Sequence, residues 1–413
     1  MPKAWQARTE SQAVTTFFAD TRRRALPAMF AAAALVSGCG KDDSAPAVTH
    51  GLATAVAGHV TPAGDELGTE GPEASGGKLL FAIAADAKAM TAVIAARLIE
   101  RGLIRWDTRL AEALPELRRD MLPAYRNATL EDLLAHRAGV APFTTEGELR
   151  RFVSLLPAQP EARLSTDTGR RLFFAHWLLG QPPAADAGFL YSNAGYALAA
   201  VMLERASGKD YRALFEQEVA RPLGIAGAWR QPGAADATGA GSLALWRDAI
   251  TPASLFATTP STYAGWLRWH LRALQGDSTP LPAGYVHRLR DLAPGGYALG
   301  WTGAMRNGRP VLRHARGTER VMAGAQADAV IDAAGQSANF ALARITQAGD
   351  AGESGSRASA LLDRLLASRD SETPAAAAAG STVPFLAQWR CRLAGCSLVM
   401  RLRRSGLLRA LLR

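Results

Sequence analysis

Apolar runs short enough for strands and longer stretches with helical spacing are segregated along this chain. The strand-like runs fall at residues 51–60 and 79–84, and again at 297–302, 311–314, 321–330 and 340–345. Between these two groups the spacing is helical. Met90, Val93, Ile94 and Leu98 share one face of a helix over 87–101, and Gly102 follows as its stop. Thr129 with Asp132 three residues on predicts a capping box that opens a helix over 130–136. Further helices are expected over 194–206 ahead of Gly208, 210–220 ahead of Pro222, 261–274 and 356–368. Strands near both chain ends with helices between them predict an α+β domain, its sheet built from both ends and packed against a central helical block. No internal repeat interrupts this order.

Composition changes the picture mainly at the ends. The chain has 413 residues, 48% of them apolar and 20% charged, enough for a sizeable core, and carries a formal charge of +10. Residues 1–38 hold five basic and two acidic side chains, and residues 386–413 hold seven arginines and no acid. The 347 residues between them are therefore neutral. A neutral body with two basic ends argues against nucleic acid as a partner and turns attention to membranes.

Arg22-Arg23-Arg24 precedes a short apolar run from Ala25 to Val36, which ends in Val36-Ser37-Gly38-Cys39. A positive segment, an apolar stretch too short to span a bilayer and small residues before a cleavage point make a signal peptide. The residues before Cys39 resemble the lipobox of bacterial lipoproteins, which implies acylation of Cys39. With Gly40 rather than an aspartate after it, outer-membrane anchoring facing the periplasm is the expectation. The chain is thus expected to divide into a signal peptide (1–38), a tether (39–47), one domain (48–368), an alanine-rich linker (369–385) and a basic tail (386–413). Leucines interleaved with arginines suit that tail either to an anionic lipid surface or to an extension without a specific role. Three cysteines, Cys39, Cys391 and Cys396, exclude a disulfide-rich scaffold. No histidine set has metal-ligand spacing, and no cofactor is implied.

Candidate chemistry comes from four blocks in register. Tyr191-Ser192-Asn193 is followed by Ala194-Gly195-Tyr196, Ser207-Gly208 and Arg221-Pro222-Leu223-Gly224; Thr129-Leu130-Glu131-Asp132-Leu133-Leu134 precedes His136 and Gly139. Downstream stand Tyr297-Ala298-Leu299-Gly300-Trp301 and His314 with Gly317-Thr318. Over roughly 320 residues this order resembles the class C β-lactamase and penicillin-binding-protein-related serine hydrolases. The resemblance implies a transpeptidase-like fold with an antiparallel sheet. It also implies a nucleophilic serine opening a helix, one turn before a lysine, so that both side chains share a face near free peptide N–H groups. Tyr191 would share the acid/base work, Asn193 would hydrogen-bond substrate, and the His314 strand with Arg316, Gly317 and Thr318 would wall the cleft.

One departure dominates. In Phe81-Ala82-Ile83-Ala84-Ala85-Asp86-Ala87-Lys88 the strand, the lysine and the helix after it match the family, and the nucleophile position is Ala85. A methyl group cannot attack a carbonyl, so acyl-enzyme chemistry is expected to be absent. Ser75-Gly76-Gly77-Lys78 has the literal spacing but sits in a glycine-rich turn. Asp86, the other substitute nucleophile, projects about 100° away from the Ala85 direction. Arg316 replaces an expected glycine, turned to solvent, crowding the site or gripping a carboxylate; Ala138 replaces an expected serine. An isolated buried ammonium is costly, so Lys88 is expected to hydrogen-bond Tyr191 or Asn193. The expectation is a lipid-anchored pseudoenzyme binding a peptidoglycan fragment or an acyl or peptide ligand. The alternatives are a hydrolase working through water activated by Lys88 and Tyr191, and a structural remnant.

Overall fold

A computed structural model of the chain describes residues 54–70, 79–156, 164, 166–184, 188–229, 240–250, 256–314, 325–344 and 351–372. Cys39, the tether, Ser75 and Lys78, residues 316–318, the linker after residue 372 and the tail lie outside them. Two compact units are distinguished, Met1–Leu365 and Leu366–Arg413; of the second, only residues 366–372 are described.

The main sheet is antiparallel and seven-stranded. Its strands are β1 (Thr54–Val60), β2 (Asp65–Glu70), β6 (Tyr297–Ala298), β7 (Trp301–Arg306), β8 (Arg309–Arg313), β9 (Ala325–Asp332) and β10 (Ala338–Arg344), in the order β2-β1-β10-β9-β8-β7-β6. The first strand of the domain therefore pairs with the last, Val56 opposite Leu342 and Gly58 opposite Phe340. This is the α+β architecture with strands from both ends that the pattern predicts. A second sheet, β3-β5-β4, joins β3 (Phe81–Ala82) to β4 (Gly227–Trp229) through β5 (Phe256–Thr258).

Helix α1 (Ala87–Glu100) has 11 of its 14 residues buried, apolar nearly all round, as a helix enclosed by the fold must be. Gly102 closes it at φ +70°. Helix α2 (Leu130–Leu134) opens with the expected capping box: the Asp132 N–H donates to Thr129 Oγ1 at 3.1 Å and the Thr129 N–H to Asp132 Oδ2 at 3.1 Å. Helices α3 (Asp167–Leu179), α4 (Asn193–Ser207) and α5 (Tyr211–Phe215) complete the layer that matters for the site, and α6 (Pro260–Gln275) lies along β1, β9 and β10. Tyr263 of α6 meets Phe340 of β10 edge to face at 5.2 Å. Helix α7 (Ala351–Glu372) ends the described chain.

Three differences from expectation have physical causes. Strand β2 was not expected, because all six of its residues are exposed; the Thr61–Gly64 turn pairs it with β1, and Asp65, Glu66 and Glu70 keep this sheet edge charged. The run 297–302 is two strands, split by Leu299 (φ +53°) and Gly300 (φ +91°) in a tight hairpin. That turn rests on α1, where a Cβ on Gly300 would stand 2.4 Å from the Ala89 nitrogen, so only glycine fits. Finally, the helix expected over 210–220 stops as α5 at Phe215 and continues as a π-helical turn, Glu216–Ala220.

Candidate functional site

The site is built where β3 hands over to α1. After Ile83 the chain makes a 3-10 turn, Ala84–Asp86, entered through Ala84 at φ +45°, and α1 starts at Ala87. Ala85 is the last residue but one before the helix, 8% exposed, and Lys88 follows three residues on, also buried. The Lys88 ammonium lies 4.9 Å from the centroid of the Tyr191 ring and 5.6 Å from that of Tyr196, a cation against two aromatic faces.

Tyr191-Ser192-Asn193 is held as a unit by the start of α4. Ser192 caps the helix, its Oγ accepting from the Gly195 N–H at 2.9 Å and donating to the Ala141 carbonyl at 2.7 Å. Both duties tie that hydroxyl to the backbone. Asn193 is buried; its N–H donates to the Pro142 carbonyl at 2.8 Å, and its Nδ2 donates to the Phe143 carbonyl at 3.0 Å.

His136 stands at the centre of an aromatic cluster that the motif reading missed. Its ring centroid lies 4.3 Å from Tyr191, 4.5 Å from Tyr297, 5.2 Å from Tyr196 and 5.8 Å from Phe189. Nδ1 accepts from the Ser192 N–H at 3.1 Å, which places the ring proton on Nε2. Burial, then the charges of Lys88 and His314, push its pKa down to about 2.

His314 directly follows β8 and lies under the turn that carries Ala85. Its Nδ1 lies 2.8 Å from Asp86 Oδ1, and both side chains are only 2% exposed. The Tyr263 hydroxyl donates to the other oxygen, Asp86 Oδ2. Burial pushes the His314 pKa down, but the Asp86 carboxylate more than offsets it and leaves the imidazole raised above its ordinary range. The same contacts take Asp86 out of consideration as a nucleophile, since both oxygens are engaged inside the protein. An acid inside the otherwise apolar run 81–87 marks Asp86 as unusual without naming its partners. Ala138 is half-buried against the core, and Gly139 accepts from the Ala184 N–H at 2.9 Å. Among the described residues no group of three histidine, cysteine or acidic side chains is placed to hold a metal.

The profile of the Beta-lactamase family matches residues 42–361. This chain belongs to the beta-lactamase family. It is 29% identical over 145 residues to the D-alanyl-D-alanine-carboxypeptidase/endopeptidase AmpH of Escherichia coli K12. That stretch is 35% of this chain and spans about a third (34%) of the length of this curated relative. Among solved structures, the D-amino acid amidase of Ochrobactrum anthropi gives a TM-score of 0.55 at 17% identity, covering 78% of this chain and 95% of that one. The class C beta-lactamase of Rhodobacter sphaeroides gives 0.52 at 16%, covering 76% and 95%. A D-stereospecific amidohydrolase from Streptomyces sp. gives 0.52 at 20%, covering 72% and 90%. At these identities the likeness is one of fold.

Two of the buried histidines, His136 and His314, pull stability in opposite directions. His136 stays neutral in the fold down to about pH 2, whereas unfolded chain takes up the proton below about 6.5. Its contribution is complete above pH 6.5 and is lost as pH falls. His314, raised in the fold, contributes below about 6.5 and loses that contribution as pH climbs through its folded value. Thermal melts between pH 7 and 4 are expected to fall more steeply for the natural protein than for His136→Gln; parallel slopes would refute this account.

Proposed function

We propose that this member of the beta-lactamase family binds an acyl-D-amino-acid or peptide ligand of the peptidoglycan type without forming an acyl-enzyme. The observation that carries the reading is Ala85, set at the entry to α1 three residues before a buried Lys88. Supporting it, the side chains that would orient such a ligand remain assembled: Lys88 against Tyr191, and Asn193 fixed by Phe143. Removing the nucleophile from a catalytic set that acts as a unit costs on the order of 10⁶ in turnover.

A second reading, slow hydrolysis by water activated at Lys88 and Tyr191, is favoured by the relatives, which are named for carboxypeptidase, endopeptidase, amidase, amidohydrolase and lactamase activities. One set of measurements separates the two. The purified protein is expected to leave nitrocefin unhydrolysed and to stay unlabelled by a fluorescent penicillin. Its melting temperature is expected to rise with N-acetyl-D-alanyl-D-alanine. Turnover that vanishes in Lys88→Ala would establish the second reading, and labelling of the natural protein would sink the first. No rise in melting temperature with any muropeptide or acyl-D-amino acid would leave a fold without a ligand.

A further inference from the structure

Next to Ala85 stands a group for which acyl transfer has no use. Asp86 is buried, with His314 Nδ1 on one carboxylate oxygen and the Tyr263 hydroxyl on the other. Three segments distant in sequence, the turn before α1, the end of β8 and the first turn of α6, converge on that carboxylate. Lys88 and Asp328 are the other charged groups that act on His314. Asp328 is itself tied to Arg313 at 3.1 Å and to Ser359 Oγ at 3.1 Å.

We propose that Asp86 is a positioning residue that disables acylation independently of Ala85, by anchoring His314 beneath the turn and setting a buried carboxylate one residue from the vacated nucleophile position. The inference rests on reading residue 85 as the vacated nucleophile position. In acyl transfer, negative charge develops on the carbonyl oxygen, and donors at a helix start stabilise it. A carboxylate on the adjacent residue opposes that charge, and burial leaves little solvent to screen it. His314 offsets the carboxylate, and in doing so its own charge is no longer offered to a ligand. Loss of the hydroxyl and gain of the acid therefore act in the same direction.

The test compares acylation by a fluorescent penicillin in Ala85→Ser alone and combined with Asp86→Asn, Asp86→Leu or Asp86→Glu, with melting temperatures in parallel. In the step assayed, the introduced hydroxyl oxygen bonds the lactam carbonyl carbon, the lactam C–N bond breaks, and the hydroxyl proton ends on the lactam nitrogen. Adding Asp86→Asn is expected to speed labelling at least tenfold while lowering the melting temperature, and Asp86→Glu to give no gain. Faster chemistry in a less stable protein is not what a merely structural residue produces. Asp86→Leu, which fills the space without charge, decides the point should the asparagine variant not fold. Rapid labelling of Ala85→Ser with no further gain overturns the inference and upholds the assignment of residue 85. Labelling absent from every folded variant overturns both.

Discussion

Ala85→Ser is expected to be acylated by penicillin, seen as a stoichiometric adduct in the intact mass, where the natural protein is expected to give none. The backbone for this is in place. Residue 85 lies in the 3-10 turn that opens α1, and Lys88 sits three residues on, in the first turn of the helix. Against a loss on the order of 10⁶ for removing such a nucleophile, recovery of about 10³ over the natural protein would show that the rest of the site still works as a unit. Complete recovery is not expected, because Asp86 keeps His314 and its own charge below the turn. The decisive control is Ala85→Ser with Lys88→Met, which should lose the adduct again. An adduct that survives loss of the lysine would mean that the serine reacts without the assembled site.

Much of this site was legible because it is local. Ala85 and Lys88 lie three residues apart and Tyr191 to Asn193 are consecutive, so the motifs of the family align on them directly, and the Thr129–Asp132 box closes within one turn, so spacing carries it. The sheet's dependence on both chain ends was legible from where the apolar runs fall. What escaped is what depends on distant partners or on backbone that breaks a local rule. Nothing near Asp86 announces His314 or Tyr263, and the pairing exists only once β8 and α6 are folded against the turn. Strand β2 has no apolar alternation to read. Leu299 adopts a left-handed conformation that costs a leucine roughly 1–2 kcal/mol, so the hairpin it starts reads as a continuous strand. Helix α3 was hidden for the same kind of reason: Arg170 and Arg171 occupy buried positions where a helix period calls for apolar residues.

Arg171 explains itself only with Glu204 of α4, and the pair predicts a large stability effect. Its Nη2 lies 2.8 Å from Oε1 and its Nε 3.2 Å from Oε2, with side chains 3% and 4% exposed. Glu204 Oε1 also accepts from the Thr168 hydroxyl at 2.7 Å and from the Tyr211 N–H at 2.9 Å, and Arg171 Nη1 donates to the Ala249 carbonyl at 3.2 Å. Both carboxylate oxygens and all three guanidinium nitrogens are thus engaged, which is the condition under which a buried pair is tolerated. Glu204→Gln keeps the shape and strands the guanidinium without a counter-charge, a loss of about 3–5 kcal/mol. For a domain of this size that corresponds to roughly 10 °C in melting temperature. Replacing both partners, Arg171→Met with Glu204→Met, is expected to restore most of the loss, because no charge is then left buried. Equal losses in the single and double variants would show that packing, not charge, sets the cost. The effect reaches the site, since α4 carries Asn193 on its first turn: Glu204→Gln should weaken ligand binding by a few-fold even where the protein is fully folded, while the double variant binds as the natural protein does.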